Sequence, residues 1–276
     1  MRCVSGRLFL VGTPIGNLGD LTERARDTLA AVDLVAAEDT RRTGKLLAHL
    51  GIRARMVSLF EGNERERTER LLEELRGGAR VALVSDAGMP SVSDPGFRLV
   101  RACAAEGIEV RVVPGPSAVT AALAVSGLPT DRWVFEGFLP RRTAERRARL
   151  LELERDPRTL VLFESPKRLE ATLRDVLEEL GDREVAVARE LTKLHEEVVR
   201  GRVSAVLEAF GGSEPRGEVV VVLEGASPDL APLEELVAEA RALVEGGARK
   251  RDAATAVARR RGGSANAIYE GLVTPG

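Results

Sequence analysis

The sequence predicts an α/β protein of two domains, the first on a parallel sheet and the second a mixed α+β unit, followed by a small helical appendage. Three observations lead there. Short aliphatic runs alternate with helix-period segments up to residue 126, the pattern of parallel strands joined by crossover helices. The runs are almost continuously apolar, as in strands covered on both faces. Beyond Ala226 the chain reads as helix to its end. The expected divisions are 1–117, 118–226 and 227–276.

In the first part, strands are expected at 8–11, 34–37, 57–60, 81–84 and 110–113, with helices at 21–32, 40–50, 64–75, 97–106 and 117–126. The first helix rests on Leu21, Ala25, Leu29 and Val32 at helical spacing; the charged third rests on a stripe of Leu71, Leu72 and Leu75. Asp20 is the expected N-cap of the first helix, and Asp39 or Thr40 of the second. The pattern changes after Gly127-Leu128-Pro129-Thr130. Shorter, hairpin-like strands are then expected at 133–135, 160–163, 185–188, 198–199 and 219–223, with helices at 143–153, 169–180 and 203–210. The last segment, about fifty residues, is short for a core of its own.

Composition excludes several classes. At 276 residues and 44% hydrophobic, the chain is long and apolar enough for two cores and too apolar for a disordered protein. A net charge of −2 argues, as an average, against a nucleic-acid coat protein, and 3% aromatics against a base-stacking platform. The average hides segregation: residues 141–149 hold five arginines and one acid, residues 249–261 six cations and one acid, and residues 229–247 five acids and one arginine. Two basic segments can therefore meet RNA while the whole stays near neutral. Cys3 and Cys103 form no disulfide framework, and with His49 and His195 they make no metal cluster, so no metal is expected and a reducing cytoplasm fits. No apolar run approaches the ~18 residues of a membrane span, and 8–11 is too short for a signal segment.

In a parallel sheet, ligands bind at the carboxyl ends of the strands, and four loops there are unusual. Gly12-Thr13-Pro14-Ile15-Gly16-Asn17-Leu18-Gly19-Asp20 resembles a dinucleotide loop, with Glu38 near the place of a ribose-binding acid, but its glycine spacing is wrong and Pro14 removes an N–H group. Glu38-Asp39-Thr40-Arg41-Arg42 puts paired carboxylates before two arginines, a candidate base or orienting pair. The loop from Ser85 to Gly96 holds small residues, two acids and two prolines, as a shaped, backbone-lined pocket requires. Pro114-Gly115-Pro116-Ser117-Ala118 opens a helix whose N–H groups can hold a carboxylate. There is no phosphate loop at Gly44-Lys45 and no Gly-x-Ser-x-Gly elbow.

The strings TPIGNLGD, AAEDTRRT, ALVSDAGMPSVSDPG, VVPGPSAVTAAL, GLPTDRWVFEGFLPRR, FESPKRL and ARELTKLHEEVVRG, in this order, resemble the tetrapyrrole methylase superfamily, in its branch of small-subunit ribosomal RNA cytidine 2′-O-methyltransferases. The resemblance spans residues 8–225, and the helical tail has its counterpart. It implies the two-domain tetrapyrrole-methylase-like fold, S-adenosyl-L-methionine as cofactor, a cytidine in the decoding region of 16S rRNA within the small subunit as target, and a homodimer. By resemblance, Pro14 belongs to the first wall of the cofactor cleft, Asp86, Ala87, Gly88, Pro90 and Val92 wrap the methionine and sugar, Ser117 and Ala118 contact the cofactor near the fourth loop, and Phe163, Arg189, Leu191 and the segment near Val219 hold the adenine side.

The reaction this implies needs a ribose hydroxyl aligned with the methyl and its proton removed. The candidates are Asp39 first, then Glu38, Glu64, Asn63 and Asp20, with Arg41 gripping phosphate. Arg42, Arg141, Arg142, Arg146, Arg147, Arg259 and Arg260 are the further RNA contacts. Two departures stand out: Phe60-Glu61-Gly62-Asn63-Glu64 lacks the histidines usual there, and the tail lacks lysines before Asn266. A methylase of a small tetrapyrrole precursor, a non-catalytic RNA-binding factor and a dehydrogenase are the competing readings; the arginine clusters and tail weigh against the first, the shaped acidic loops against the second.

Overall fold

A computed structural model of the chain describes residues 6–211, 217–226, 233–261 and 264–273, with the side chains of 259–261 outside the described residues. The first half alternates β1 (Arg7–Val11), α1 (Glu23–Ala31), β2 (Leu34–Ala37), α2 (Thr40–His49), β3 (Met56–Ser58), α3 (Glu64–Arg76), β4 (Arg80–Val84), α4 (Phe97–Ala105) and β5 (Glu109–Val113). All pairs in its five-stranded sheet, ordered β3-β2-β4-β1-β5, are parallel.

Successive strand side chains point to opposite faces, and both faces are covered. Leu8, Leu34, Ala36, Val81 and Leu83 meet Leu71, Leu72 and Leu75 of α3 and Leu99 and Cys103 of α4. Val11, Val35, Ala37, Ala82 and Val84 meet Ala25 and Leu29 of α1 and Leu47 of α2. This two-sided burial explains why β2 and β4 lack polar alternation. Asp39 caps α2 by accepting from the Arg41 N–H. The cap of α1 is Thr22, which accepts from the Ala25 N–H, and not Asp20; Asp20 ends a separate 3-10 turn, Leu18–Asp20, so the helix starts later than its apolar spacing suggests.

The second half contains α5 (Ala118–Ser126), β6 (Trp133–Phe138), α6 (Thr143–Glu152), β7 (Thr159–Glu164), α7 (Pro166–Leu180), β8 (Glu184–Arg189), β9 (Glu197–Arg202), α8 (Val203–Phe210) and β10 (Val219–Leu223). Its sheet, β6-β7-β10-β8-β9, is mixed: β6 and β7 run parallel, and the other pairs are antiparallel. One face buries Leu160, Leu162, Val187 and Val221 under α6, α7 and α8. The other buries Val161, Ala186, Ala188, Val220 and Val222 against Val119, Ala122 and Leu123 of α5 and against Ile15, from the loop after β1. That shared cluster joins the halves. Beyond them, α9 (Leu233–Glu245), α10 (Lys250–Arg261) and α11 (Ala265–Val273) share a cluster of Leu236, Ala240, Ala253, Ala254, Val257 and Ile268.

The basic stretch 141–149 is largely engaged in the fold. Arg146 is 4% exposed and Asp175 of α7 is 3% exposed. Their side chains meet at 2.5 Å, and Arg147 joins Asp175, at 2.8 Å, and Glu178. A buried charge without its partner is costly. Asp175→Ala is therefore expected to destabilise the protein by about 3–5 kcal/mol in urea unfolding, with Arg146→Met added to Asp175→Leu recovering most of the loss.

Candidate active-site cleft

The loops after β1, β2, β4 and β5 meet at the carboxyl edge of the parallel sheet, where the start of α7 and the segment before β10 close over them. Between them lies a cleft of about 440 Å³. Its floor is set by two close approaches. Thr13 and Gly88 exchange backbone hydrogen bonds at 2.9 and 3.0 Å, and the Thr13 hydroxyl donates to the Ser85 carbonyl at 3.1 Å. Gly12 and Gly115 touch so closely that a Cβ on Gly12 would stand 2.6 Å from the Gly115 nitrogen.

The loop after β4 is held in a costly shape. Ser91 and Ser93 have φ of 71° and 60°, conformations that L-residues rarely adopt. Glu64 clamps the loop from behind: its Oε1 accepts from the Gly96 and Arg98 N–H groups at 2.9 and 3.1 Å. Opposite, β6 bulges between Phe135 and Gly137. A Cβ on Gly137 (φ 65°) would stand 3.3 Å from the Ser93 Oγ, so the bulge makes room for the loop.

Of the residues expected at the cofactor, Asp86, Ala87, Gly88, Val92, Ser117, Ala118, Phe163 and Val219 line this one cleft. Phe163 is braced edge-on by Phe135, with ring centres 4.9 Å apart, and by Phe138 at 5.5 Å. Pro14 lines an adjoining hollow. Pro90 is buried, Leu191 is in the shared apolar cluster, and Arg189 is paired with Glu197.

The acids divide by what they hold. Glu38 Oε2 accepts from the Asp86 N–H at 3.0 Å, and Asp86 Oδ1 accepts from the Asp39 N–H at 3.1 Å. Arg42 stands 3.3 Å from Asp86 Oδ2. Asp39 accepts from the Arg41 backbone and guanidinium, which hold its carboxyl far below the usual range, so it makes a weak base. Asn63 closes its own turn, accepting from the Phe60 N–H at 2.9 Å. Asp20 has a buried Oδ2 with no hydrogen-bond partner among the described residues.

Asp94, the second acid of the loop from Ser85 to Gly96 and absent from the expected site residues, lines the cleft with Glu38, Asp86 and Arg42. Burial, chiefly, and the charges of Glu38 and Asp86 push its carboxyl up to about 6, against a hydrogen bond from Ser85. No ion pair neutralises it among the described residues. The readable signal was a second acid in a loop of small residues; that it faces the cleft depends on the φ values around it. Ile15, Phe138, Glu164, Gly217, Glu218 and Val220 are among the other lining residues and were also missed.

Of the expected RNA contacts, Arg41, Arg42 and Arg142 have exposed side chains (87%, 65% and 84%), and Arg141 is exposed. Arg146 is buried against Asp175, which removes it from any RNA-facing surface. Arg259 and Arg260 end α10 with side chains outside the described residues.

A family profile described as Tetrapyrrole (Corrin/Porphyrin) Methylases matches residues 7–207. A Thermotoga maritima protein named "Ribosomal RNA small subunit methyltransferase I" is 55% identical over 221 residues, 80% of this chain and 99% of the relative. A Mycobacterium tuberculosis protein of the same name is 51% identical over 258 residues, 92% of this chain and 90% of the relative. Among solved structures, a uroporphyrin-III C-methyltransferase from Thermus thermophilus, complexed with S-adenyl homocysteine, superposes with a TM-score of 0.56 at 26% identity, covering 79% of this chain and 97% of that one.

Replacing Glu64 with Ala removes the acceptor for two loop N–H groups. The variant is expected to lose about 1–3 kcal/mol in urea unfolding and to become cleavable by protease within residues 91–96, mapped by mass spectrometry.

Proposed function

Because the chain belongs to the tetrapyrrole methylase family, and within it to the group named ribosomal RNA small subunit methyltransferase I, we propose that it is a ribosomal RNA methyltransferase. In this reading it transfers the methyl of S-adenosyl-L-methionine to the ribose 2′-hydroxyl of a cytidine in the decoding region of 16S rRNA. The supporting observation is the acid-lined cleft itself. Glu38, Asp86, Asp94, Glu164 and Glu218 line it with Arg42 as the one cation among its described lining residues, a field suited to a sulfonium cation. Ile15, Val119, Phe163 and Val220 supply an apolar slot for adenine. Ser117 makes no side-chain cap on α5, so the helix-start N–H groups are free for a carboxylate.

When bound, the cofactor supplies a sulfonium methyl that passes to the 2′-oxygen while the sulfur keeps the bonding pair. Alignment and proton removal fall to the protein. Asp94 accepts the hydroxyl proton: Glu38 and Asp86 are engaged with backbone N–H groups, and Asp39 with Arg41, whereas Asp94 has a raised carboxyl and no cation on it. Asp86, Ala87, Gly88, Val92, Ser117 and Ala118 hold the methionine and sugar, Phe163 and Val219 the adenine, with Pro14, Pro90, Arg189 and Leu191 in the surrounding walls. Arg41, Arg42, Arg141 and Arg142 meet the RNA backbone. This reading assigns residues 1–117 and 118–226 to the two walls and 227–276 to an appendage, with the working enzyme a homodimer in the cytoplasm.

Incubated with labelled S-adenosyl-L-methionine and small subunits lacking the modification, the protein is expected to label one cytidine ribose. Label on a tetrapyrrole precursor and none on RNA would overturn the reading. As pH falls through about 6, Asp94 becomes protonated and the transfer rate is expected to drop about tenfold per unit. Asp94→Asn is expected to lower kcat by about 10²–10⁴ and to abolish that acid limb, with cofactor affinity by calorimetry kept.

A further inference from the structure

Beside the cleft lies a second hollow, of about 300 Å³. The two share a wall, since Arg42 and Asp86 line both. Three side chains of one α2 face reach it: Arg42, Lys45 and His49, spaced three and four residues apart. Pro14, Leu18 and Leu46 form its apolar side, and Leu18 is 49% exposed at the end of its loop.

Many arginines of the chain face carboxylates, as in the pairs of Arg55 with Glu74, Arg76 with Glu106 and Arg149 with Glu136. The Lys45 and His49 side chains make no hydrogen bond or ion pair among the described residues. The one acid in the wall, Asp86, is already engaged by Arg42 and by the Asp39 N–H. The Lys45 ammonium and the His49 imidazole, both able to donate, above an apolar floor match a nucleotide, with phosphate on the donors and base or sugar on the floor.

We propose that this hollow seats the nucleotide next to the methylated one, with its phosphodiester on Lys45 and His49 and its base against Leu18 and Leu46. The inference rests on the RNA-methyltransferase reading above. It extends that reading to single-stranded RNA running from the cleft across the Arg42–Asp86 wall, which requires the target nucleotide and its neighbour to be unstacked from each other. The phosphate grip then lies on the first half of the chain, apart from Arg141 and Arg142.

The test uses the full chain with unmethylated small subunits. Lys45→Gln combined with His49→Gln is expected to raise KM for subunits on the order of tenfold and to reduce the salt slope of subunit binding by about 1. Affinity for S-adenosyl homocysteine by calorimetry is expected to stay the same, and Lys45→Arg to restore most of the subunit affinity. Both side chains are exposed, so folding is checked directly by thermal unfolding. Unchanged KM and salt slope would overturn the inference, as would an equal loss of cofactor affinity, which would make the hollow part of the cofactor site. If the unaltered protein methylates no RNA, the function reading fails instead. The hollow is then read without turnover, from the anisotropy of a labelled short single-stranded RNA: salt-dependent binding lost in the double variant supports it, and binding that the substitutions leave alone overturns it.

Discussion

The cleft depends on a relay of carboxylates and backbone N–H groups between the ends of two neighbouring parallel strands. Glu38, just after β2, accepts from the Asp86 N–H, and Asp86, after β4, accepts from the Asp39 N–H. Each acid thereby fixes the backbone that carries another. Charge-assisted hydrogen bonds of this kind are about twice as strong as neutral ones, and they satisfy two N–H groups at the strand ends. With the two strand ends joined, the Asp86 side chain stands between the cleft and the adjoining hollow, and the loop carrying Asp94 begins from a fixed point.

Around that relay, the loop from Ser85 to Gly96 stores strain that two distant elements sustain. Glu64 holds its far end through two N–H groups, and the β6 bulge at Gly137 leaves space for Ser93. The first lies on a helix of the parallel half, the second on a strand of the mixed half. The position of Asp94 is therefore a joint product of both sheets. The shared apolar cluster of Ile15, α5 and the second sheet has the same effect at larger scale, since it fixes the closing wall of Phe163 and Val220 over the strand ends.

Electrostatics sorts the arginines into two kinds. Those of the 141–149 segment include a buried residue, Arg146, and one shared among acids of α7, Arg147, so a sequence count of local charge overstates what that segment offers RNA. Beside the cleft the reverse holds. Lys45, one of four lysines in the chain, and His49 are inconspicuous in sequence yet stand unpaired in a hollow. Acids inside the cleft and cations beside it suit a positively charged cofactor meeting a polyanion.

By itself the sequence determined the alternation of strands and helices, the two kinds of sheet and the helical end. These follow from local periodicity and from continuous apolar runs, which each segment carries within itself. It also marked loops that line the cleft, because glycines and prolines at strand ends are local statements. The N-cap of α1 was misplaced because Asp20 and Thr22 are both able caps, and only the intervening 3-10 turn selects Thr22. The roles of Glu38, Asp86 and Asp94 were decided by tertiary structure. Asp39, Glu38, Asp86 and Asp94 have the same chemistry in the sequence. They differ in whether a guanidinium, a backbone N–H or another carboxylate stands nearby: for Glu38, Asp86 and Asp94 a deciding neighbour comes from another strand end far along the chain, whereas the guanidinium on Asp39 is that of Arg41, two residues on.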